Sequence, residues 1–421
     1  MISDLPQVES PLDSKSPARV LQVHCRYKSG VAGEDSVLSE ERGILLGNGH
    51  VVEQFFGHNS SFIPDSLISA LPKGVLSIWN PRASRELLSA VQSFKPDVVH
   101  VHNTFAELSP SIFWALKRVG IPVVLTLHNY RTTCSTAILM RDGKPCEKCV
   151  GKFPWAAFRY RCSYNNSVAA GACIAMTQVV HNMLSTYRRK VDAFIVFTAF
   201  QRDLMVRSGL PRERIHVKPN FVPDLRAMLS DAGERTDELA YLGVIYPAKG
   251  VDLLLSAWKE INHGGYGLAV VGSGPDVARI RTEFAESTDV EWCGQLARNE
   301  AQKKLARARW LVMPSRCYEG FPMALLEALA LGTPVIAPNH GCFPSILSHG
   351  HNALLYTAND QHALASAIQE ALRMHPSCWE TFSQQARAEY LKQYTPESSY
   401  RQLMHVYGNA IAQGAHLDRE P

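Results

Sequence analysis

Two glutamates, Glu319 and Glu327, stand on either side of a predicted helix start. Pro322 suits the first turn of that helix, and Gly332 suits its end. Backbone N–H groups at a helix start face outwards with a partial positive charge, so Gly320 and its neighbour would form an anion-binding loop. The segment therefore indicates a site for a negatively charged ligand.

Glu327 lies inside this helix among Met, Ala and Leu residues. A carboxylate in apolar surroundings costs free energy unless a donor hydrogen-bonds to it, and a ribose diol would be such a donor. The alternative is that Glu327 is an ordinary helix glutamate and Glu319 a surface residue. The helix start between the two favours a ligand site.

Two glycine-containing loops could complete the anion site. Lys249 follows the run Tyr241–Tyr246 and could place an ammonium against a diphosphate, or could be a solvated loop lysine. Gly272 lies in a Val-Val-Gly-Ser-Gly turn that serves either as a plain strand-to-helix turn or as a phosphate contact.

Histidines follow or lie within two apolar runs of the first half. His128 ends the run Pro122–His128, and His100 lies inside the run Val98–His102. Ligands bind beyond the carboxyl ends of strands in open α/β sheets, so His128 is a site candidate. His100 is interpreted as a core residue.

The pattern around these residues alternates short apolar runs with amphipathic segments, twice along the chain. It predicts two doubly wound α/β domains with parallel sheets. We assign residues 1–222 to the first domain, 223–238 to a polar linker and 239–397 to the second domain, whose final strand is Pro334–Ala337. Residues 398–421 hold a last helix, Ser398–Ala412, which we expect to pack back on the first domain.

Bulk composition excludes several classes of protein. With a net charge of +4 over 421 residues, the chain is too weakly basic to predict a nucleic-acid partner. Met1–Ala18 lacks the features of a signal peptide, and no apolar run approaches the length of a membrane span. We therefore expect a cytoplasmic protein whose ten cysteines are reduced.

The segments around Glu319, Lys249, Gly272 and Gly33 together resemble the group 1 glycosyltransferases, glycosyltransferase family 4. The resemblance implies a GT-B fold, two Rossmann-like domains facing a cleft, and retaining transfer of a hexose-type sugar from a UDP- or GDP-sugar to a hydroxyl of a saccharide or lipid-linked saccharide. It suggests surface polysaccharide biosynthesis as the pathway.

The same resemblance implies roles for individual residues. Glu319 would contact the transferred sugar and Glu327 the ribose, while Gly320 and Phe321 would offer backbone amides to the sugar or phosphate. His128 would face the donor sugar or the acceptor. Gly33 would belong to the first loop, which closes on the acceptor side. The alternative for that loop is a purely structural role, in which its acidic residues cap the next helix.

The chain departs from the family pattern in three places. Val244 stands where the family usually has an arginine, so another cation, such as Arg316, would have to replace it. Gly33 remains from a usual pair, and Ser345 replaces a usual glutamate. Lys249 and the helix start would stabilise the leaving diphosphate, so no metal or other cofactor is expected in catalysis.

Four cysteines cluster between residues 130 and 165: Cys134, Cys146, Cys149 and Cys162. The two-residue spacing of the central pair is typical of a tetrahedral zinc site. Buried free thiols, a disulfide and an iron–sulfur cluster remain alternatives to a structural zinc.

The neighbouring stretch Lys152–Arg161 interleaves basic and aromatic residues. That pattern suits peripheral contact with an anionic inner-membrane surface, where a lipid-linked acceptor would be presented. A packed insertion is the alternative.

Two other functions stay open. One is an epimerase or a phosphorylase-like enzyme on the same scaffold. The other is a non-catalytic GT-B protein that binds nucleotide-sugars or regulates a partner.

Overall fold

The computed structural model describes residues 17–26, 33–58, 67–163, 167–287 and 289–417. Predictions made for the first 16 residues, and for residues 31 and 32 of the glycine loop, lie outside these ranges. Within them the chain forms two six-stranded parallel sheets, each flanked by helices. This confirms the predicted class of two doubly wound α/β domains.

The first sheet has the strand order β2-β1-β3-β4-β7-β8. Its strands are β1 Arg19–Arg26, β2 Val51–His58, β3 Val98–Asn103, β4 Val123–Thr126, β7 Ala193–Val196 and β8 Ile215–Val217. A two-residue hairpin, β5 Met140–Arg141 and β6 Lys144–Pro145, lies outside the sheet. Most sheet residues are apolar and buried, as expected when helices cover both faces.

The helices of this half begin with α1 Gly33–Gly47, which follows β1, and α3 Pro81–Phe94, which Asn80 caps with its side chain. The remaining ones are α2 Leu67–Ile78, α4 Ser111–Arg118, α5 Trp155–Arg159, α6 Val168–Met183, α7 Thr186–Lys190 and α8 Ala199–Arg207. A 3-10 turn spans Arg212–Arg214.

The second sheet has the order β11-β10-β9-β12-β13-β14, which is the order of a dinucleotide-binding fold. Its strands are β9 Glu238–Leu242, β10 Gly267–Val271, β11 Val290–Gly294, β12 Trp310–Val312, β13 Val335–Pro338 and β14 Ala353–Tyr356. The prediction that the strand at 334–337 is the last one is wrong, because β14 pairs with β13 at the sheet edge.

The helices of the second half are α10 Val251–Lys259, α11 Val277–Glu283, α12 Arg298–Arg307, α13 Met323–Ala330, α14 Phe343–Ile346, α15 Gln361–Arg373 and α16 Pro376–Gln393. A 3-10 turn, Pro247–Lys249, precedes α10. These elements bury the largest core side chains of the domain, including Trp258 and Trp310.

The segment interpreted as a linker contains a helix, α9 Arg226–Ala232. Met228 and Leu229 on this helix pack against the core of the second domain, so the segment is folded although its sequence is polar. The core residues that this helix packs against lie far from it in sequence, so hydrophobic periodicity within the segment did not reveal the helix.

The last helix, α17 Pro396–Leu417, lies against the first sheet. Leu403, Met404 and Tyr407 share a core cluster with residues of β1, β3 and β7. The hydroxyl of Tyr407 is 2.8 Å from Nδ1 of His100, and that of Tyr400 is 2.9 Å from Nε2 of His50. The chain therefore crosses back from the second domain onto the first.

Candidate active site

Lys249 and Glu319 form the central ion pair of the second domain. Lys249 ends the 3-10 turn after β9, and Glu319 lies in the loop between β12 and α13. The ammonium Nζ is 2.7 Å from both carboxylate oxygens, and the Ser315 hydroxyl donates to Oε1 at 2.6 Å. Burial would lower the pKa of Lys249, but the Glu319 carboxylate outweighs it and raises that pKa, so the ammonium stays charged.

The helix start between the two glutamates is built as the sequence predicted. Pro322 occupies the N-cap of α13 with extended backbone, and no side chain caps it within the described residues. Phe321 buries its ring against Phe197 and Tyr394, so only its backbone is available to a ligand. The N–H groups at the start of α13 form an anion site by orientation and dipole.

Gly320 is required by a close approach between the domains. A Cβ at this position would lie 2.6 Å from the carbonyl oxygen of His128, closer than any side chain tolerates. The Tyr130 hydroxyl donates to the backbone oxygen of Glu319 at 3.2 Å. The loop after β4 in the first domain therefore touches the loop that carries Glu319 in the second.

His128 is half-buried at this contact, with its ring 5.4 Å from that of Phe197. Burial, followed by the neighbouring His102, lowers the pKa of His128 well below its usual value. His128 is therefore neutral at physiological pH. The structure thus brings together Lys249, Glu319, Gly320 and His128 from widely separated parts of the sequence.

Glu327 has protein partners that the sequence analysis did not foresee. Its Oε1 accepts hydrogen bonds from Nε of Arg298 at 3.1 Å and from Nε2 of Gln302 at 2.8 Å. Arg298 also donates to Glu40 of α1 in the first domain at 2.8 Å. Protein donors therefore satisfy Oε1 of this carboxylate, because α12 lies beside α13.

A sequence signal for these partners did exist. Arg298 and Gln302 are four residues apart on a polar helix and share one face of it. Only the packing of α12 against α13 shows that this face meets Glu327.

Gly33 and Gly272 have different surroundings. A Cβ at Gly33 would lie 4.0 Å from Cγ of Met323, so the start of α1 faces the start of α13. Gly272 has φ 139°, and a Cβ there would lie 1.9 Å from the carbonyl oxygen of Gly243. This geometry supports the strand-to-helix turn for Gly272, since two glycine loops must approach each other here.

Arg316 does not replace the arginine that the family usually has at the position of Val244. Val244 is 55% exposed and offers no charge. Arg316 holds both carboxylate oxygens of Asp252 at 2.7 and 2.9 Å and also donates to the carbonyl of Pro247. Its guanidinium is therefore committed to the outer side of the Lys249 turn.

The four cysteines lie around the hairpin and α5, partly buried and not bridged to one another. Burial, and then the neighbouring Cys134, Cys162 and Cys146, raise the pKa of the Cys149 thiol to about 11. Among the described residues, the group of three ligand atoms that lie within 4.8 Å of one another is a different one, Glu41, His100 and His102, and no three of the four thiols lie that close.

The cysteine segment reaches the active-site loop. Glu147, between the two central cysteines, pairs with Arg207 at 2.7 Å and interacts with the hydroxyl of Tyr318, the residue before Glu319.

Nearby, Phe153, Trp155 and Tyr160 are substantially exposed. A cavity of about 220 Å³ lies between Lys152, Phe153 and Arg188. Among the described helices, none has the length and apolar character needed to cross a membrane.

Comparison with known proteins agrees with this architecture. Residues 236–374 match the family model described as glycosyl transferases group 1, and residues 66–220 match the glycosyl transferase 4-like domain. The chain is 24% identical over 341 residues to alpha-monoglucosyldiacylglycerol synthase of Streptococcus pneumoniae, covering 78% of this chain and 70% of that protein.

A second relative matches over a shorter region. An exopolysaccharide phosphotransferase of Streptomyces coelicolor is 30% identical over 189 residues, which cover 43% of this chain and only 20% of that protein.

Among solved structures, Anabaena HepE in complex with UDP and glucose superimposes with a TM-score of 0.62 at 14% identity, covering 92% of this chain and 98% of that one. This likeness shows the GT-B fold that the sequence resemblance implied. The two domain matches cover one half of the chain each. Together they establish that the chain belongs to the group 1 glycosyltransferases.

Proposed function

We propose that this protein is a retaining glycosyltransferase that moves a hexose-type sugar from a UDP- or GDP-sugar to a hydroxyl of a saccharide or lipid-linked saccharide. The observation that carries the proposal is the Lys249–Glu319 ion pair, which lies beside an uncapped helix start and opposite His128. A cation, an anion-binding backbone and a carboxylate in one place suit a sugar joined to a diphosphate.

The proposed reaction requires the Lys249–Glu319 ion pair to separate. When the donor binds, its diphosphate takes the Lys249 ammonium and the α13 helix start, and Glu319 becomes free to accept hydrogen bonds from the sugar. The bond from C1 of the sugar to the diphosphate oxygen breaks, and the acceptor oxygen bonds to C1 on the same face. The hydroxyl proton leaves with the diphosphate, whose charge Lys249 neutralises.

The nucleotide half of the donor would meet Glu327. The Arg298 side chain, at 44% exposure, can turn away so that the ribose hydroxyls donate to Glu327 while Gln302 stays in place. HepE was solved with UDP, which supports a uridine nucleotide as the first donor to test.

Two observations favour a saccharide or a glycolipid as the acceptor. The names of the Streptomyces and Streptococcus relatives refer to an exopolysaccharide and a diacylglycerol glycolipid, respectively. The exposed aromatic and basic residues around Trp155, which is 65% exposed, would allow peripheral contact with the cytoplasmic face of an anionic membrane. We place the protein in surface polysaccharide or glycolipid assembly.

A donor screen tests the proposal. Purified protein is incubated with UDP- and GDP-hexoses, with and without a polyprenyl-linked saccharide, and nucleotide release is measured for the wild type and for Glu319→Gln. We expect release with one donor and about a 100-fold lower kcat in the variant. Lys303→Ala, which removes an exposed lysine of α12, is the matched control. Tight nucleotide binding with no turnover of any donor would favour the non-catalytic alternative.

We also propose that Cys134, Cys146, Cys149 and Cys162 hold a structural zinc. The spacing of the central pair is that of a zinc knuckle, and burial followed by neighbouring thiols raises the pKa of Cys149 and of Cys162. The seven basic residues between positions 130 and 165 would offset the charge of a tetrathiolate centre. Zinc would draw the sulfur atoms together and stabilise the knuckle that supports Tyr318 through Glu147.

Elemental analysis of protein purified without chelators tests this site. We expect about one zinc per chain in the wild type and in Cys173→Ser, and less than a tenth of that in Cys146→Ser. Iron in place of zinc, or zinc retained in Cys146→Ser, would overturn the assignment.

A further inference from the structure

A row of polar side chains runs from the core of the first domain to His128. It starts at Glu41 on α1, passes His100 and His102 on β3, and ends at the cleft. Glu41 Oε1 is 2.9 Å from Nδ1 of His100 and 3.4 Å from Nε2 of His102, and Nδ1 of His102 is 3.0 Å from Nε2 of His128. The mechanism above uses only the last member of this row.

Glu41 is an anion although its side chain is only 2% exposed. Burial would raise the pKa of Glu41, but Lys218 and His100 outweigh burial and hold that pKa well below its usual value. The Lys218 ammonium, 3.2 Å from Oε2, balances the charge. This group therefore needs no additional cation to be stable.

The anion fixes where the protons are. A carboxylate only accepts hydrogen bonds, so the nitrogen of His102 that faces Glu41, Nε2, must carry a hydrogen. That nitrogen is buried 3.4 Å from Oε1 of Glu41 and forms no hydrogen bond with any described residue, so the Glu41 anion is the charge that faces it. His102 is neutral, because burial, followed by His100, lowers its pKa to about 3. Its Nδ1 is therefore a lone pair.

The lone pair on His102 in turn fixes the hydrogen on His128. Because Nδ1 of His102 can only accept, Nε2 of His128 must donate to it. A neutral imidazole carries one hydrogen, so Nδ1 of His128 is left as an acceptor. In the part of the chain that the structure describes, no hydrogen bond to Nδ1 is formed, and His128 as a whole is only half-buried.

We propose that Glu41 and His102 are positioning residues that lock His128 in the Nε2–H tautomer, so that its Nδ1 accepts a hydrogen bond from a substrate hydroxyl in the cleft. The consequence for catalysis rests on the proposed glycosyltransferase function. The locked tautomer itself does not depend on that function. A hydroxyl fits this acceptor, whereas a carbonyl or an unprotonated phosphate oxygen does not.

Nitrogen NMR of the full chain tests the tautomer without any substrate. Imidazole ¹⁵N signals of His128, assigned by their loss in His128→Gln, report which nitrogen carries the hydrogen. We expect a protonated Nε2 and an unprotonated Nδ1, unchanged between pH 8 and pH 6. A protonated Nδ1, a mixture of tautomers or a doubly protonated ring in the wild type would overturn the proposal.

Two variants of His102 test the positioning role. In His102→Asn the amide oxygen stands near the former Nδ1 and can still accept from His128, whereas His102→Phe cannot. We expect His102→Asn to keep the tautomer and kcat/KM within about 3-fold, and His102→Phe to give a tautomer mixture with kcat/KM about 10-fold lower. His216→Asn, at a half-buried histidine of β8 that contacts His405, is the matched control and should change neither quantity.

The outcomes separate the two proposals. Equal losses in His102→Asn and His102→Phe, with an unchanged tautomer in both, would show a purely structural role and overturn the inference. If no donor is turned over by the wild type, the proposed function fails while the NMR result still decides the tautomer. If His102→Phe does not fold, the wild-type spectrum and His102→Asn remain decisive.

Discussion

The two sides of the active site handle charge differently. In the second domain, Lys249 and Glu319 face each other with side-chain exposures of 22% and 10%, and Arg298 reaches Glu327 from a half-exposed position. In the first domain, Glu41, Lys218 and His100 are almost fully buried. The donor side thus holds ions that a ligand can separate, and the first domain holds ions that fix proton positions.

The physical reason is desolvation. A partly exposed ion pair can exchange its partner for a phosphate at a lower cost than a fully buried one, because water and the incoming anion stabilise the separated charges. A fully buried pair loses several kcal/mol when one member is removed, so it behaves as a fixed part of the structure. The predictions below test this difference.

The largest expected effect concerns the donor side. In Lys249→Ala the leaving diphosphate loses its cation, and we expect kcat for nucleotide release to fall by about 100- to 1,000-fold. The melting temperature should fall as well, because the buried Glu319 carboxylate loses its cation and retains only its Ser315 hydrogen bond among the contacts described above. Steady-state kinetics and calorimetry measure both quantities, and an unchanged kcat would contradict the role of Lys249.

The second prediction concerns acid stability of the first domain. Burial lowers the pKa of His102 to about 3 and, together with His405, that of His216 to about 4. Between these values and 6.5 the unfolded chain binds more protons, so the free energy of unfolding falls as the pH falls through this window. Each histidine contributes at most about 1.4 kcal/mol per pH unit.

Glu34 opposes this trend in part. Burial raises its pKa to about 7, so its contribution to stability grows as the pH falls from about 7 to 4.5. We therefore expect a net loss of about 1 kcal/mol per pH unit below pH 6. Hydrogen exchange at pH 7.5 and 5.5 should show the loss in β3, β4 and β8 rather than in the second sheet. Equal loss in both sheets would contradict the comparison.

The third prediction concerns the ribose contact. Glu327→Gln replaces a charged acceptor with a neutral amide, which weakens a hydrogen bond from the ribose. We expect the Kd of the free nucleoside diphosphate to rise about 10-fold, as measured by calorimetry. Glu300→Gln, at the exposed start of α12, serves as the control. Equal affinities for wild type and Glu327→Gln would remove Glu327 from the nucleotide site.

The smallest expected effect concerns the contact between the domains. Glu40→Gln removes the first-domain partner of Arg298, an exposed ion pair worth about 0.2–1 kcal/mol. We expect kcat/KM to change by less than about 3-fold, measured in the same nucleotide-release assay. A tenfold change would mean that this ion pair controls how the two domains meet.

Much of the fold could be predicted because it depends on local patterns. The helix predicted between Pro322 and Gly332 is α13, Met323–Ala330, and the apolar run Val98–His102 lies in strand β3, Val98–Asn103. The strand Ala353–Tyr356 was missed because a short apolar run carries no periodicity that separates a strand from a buried helix segment. The helix in the polar linker was missed because its docking depends on partners distant in sequence.

By itself, the sequence determined the residue types of the site: a glutamate, a glycine and a helix start in one segment, and a lysine in another, with spacings that local turns enforce. Only the tertiary structure decided the partners. The contacts Lys249–Glu319, Arg298–Glu327, Glu41–His102 and His102–His128 join residues that are 26 to 70 positions apart along the chain, through strands and helices that the sheets bring side by side. Hydrogen bonds and ion pairs act over a few ångströms, so which charge meets which depends on packing that no local pattern encodes.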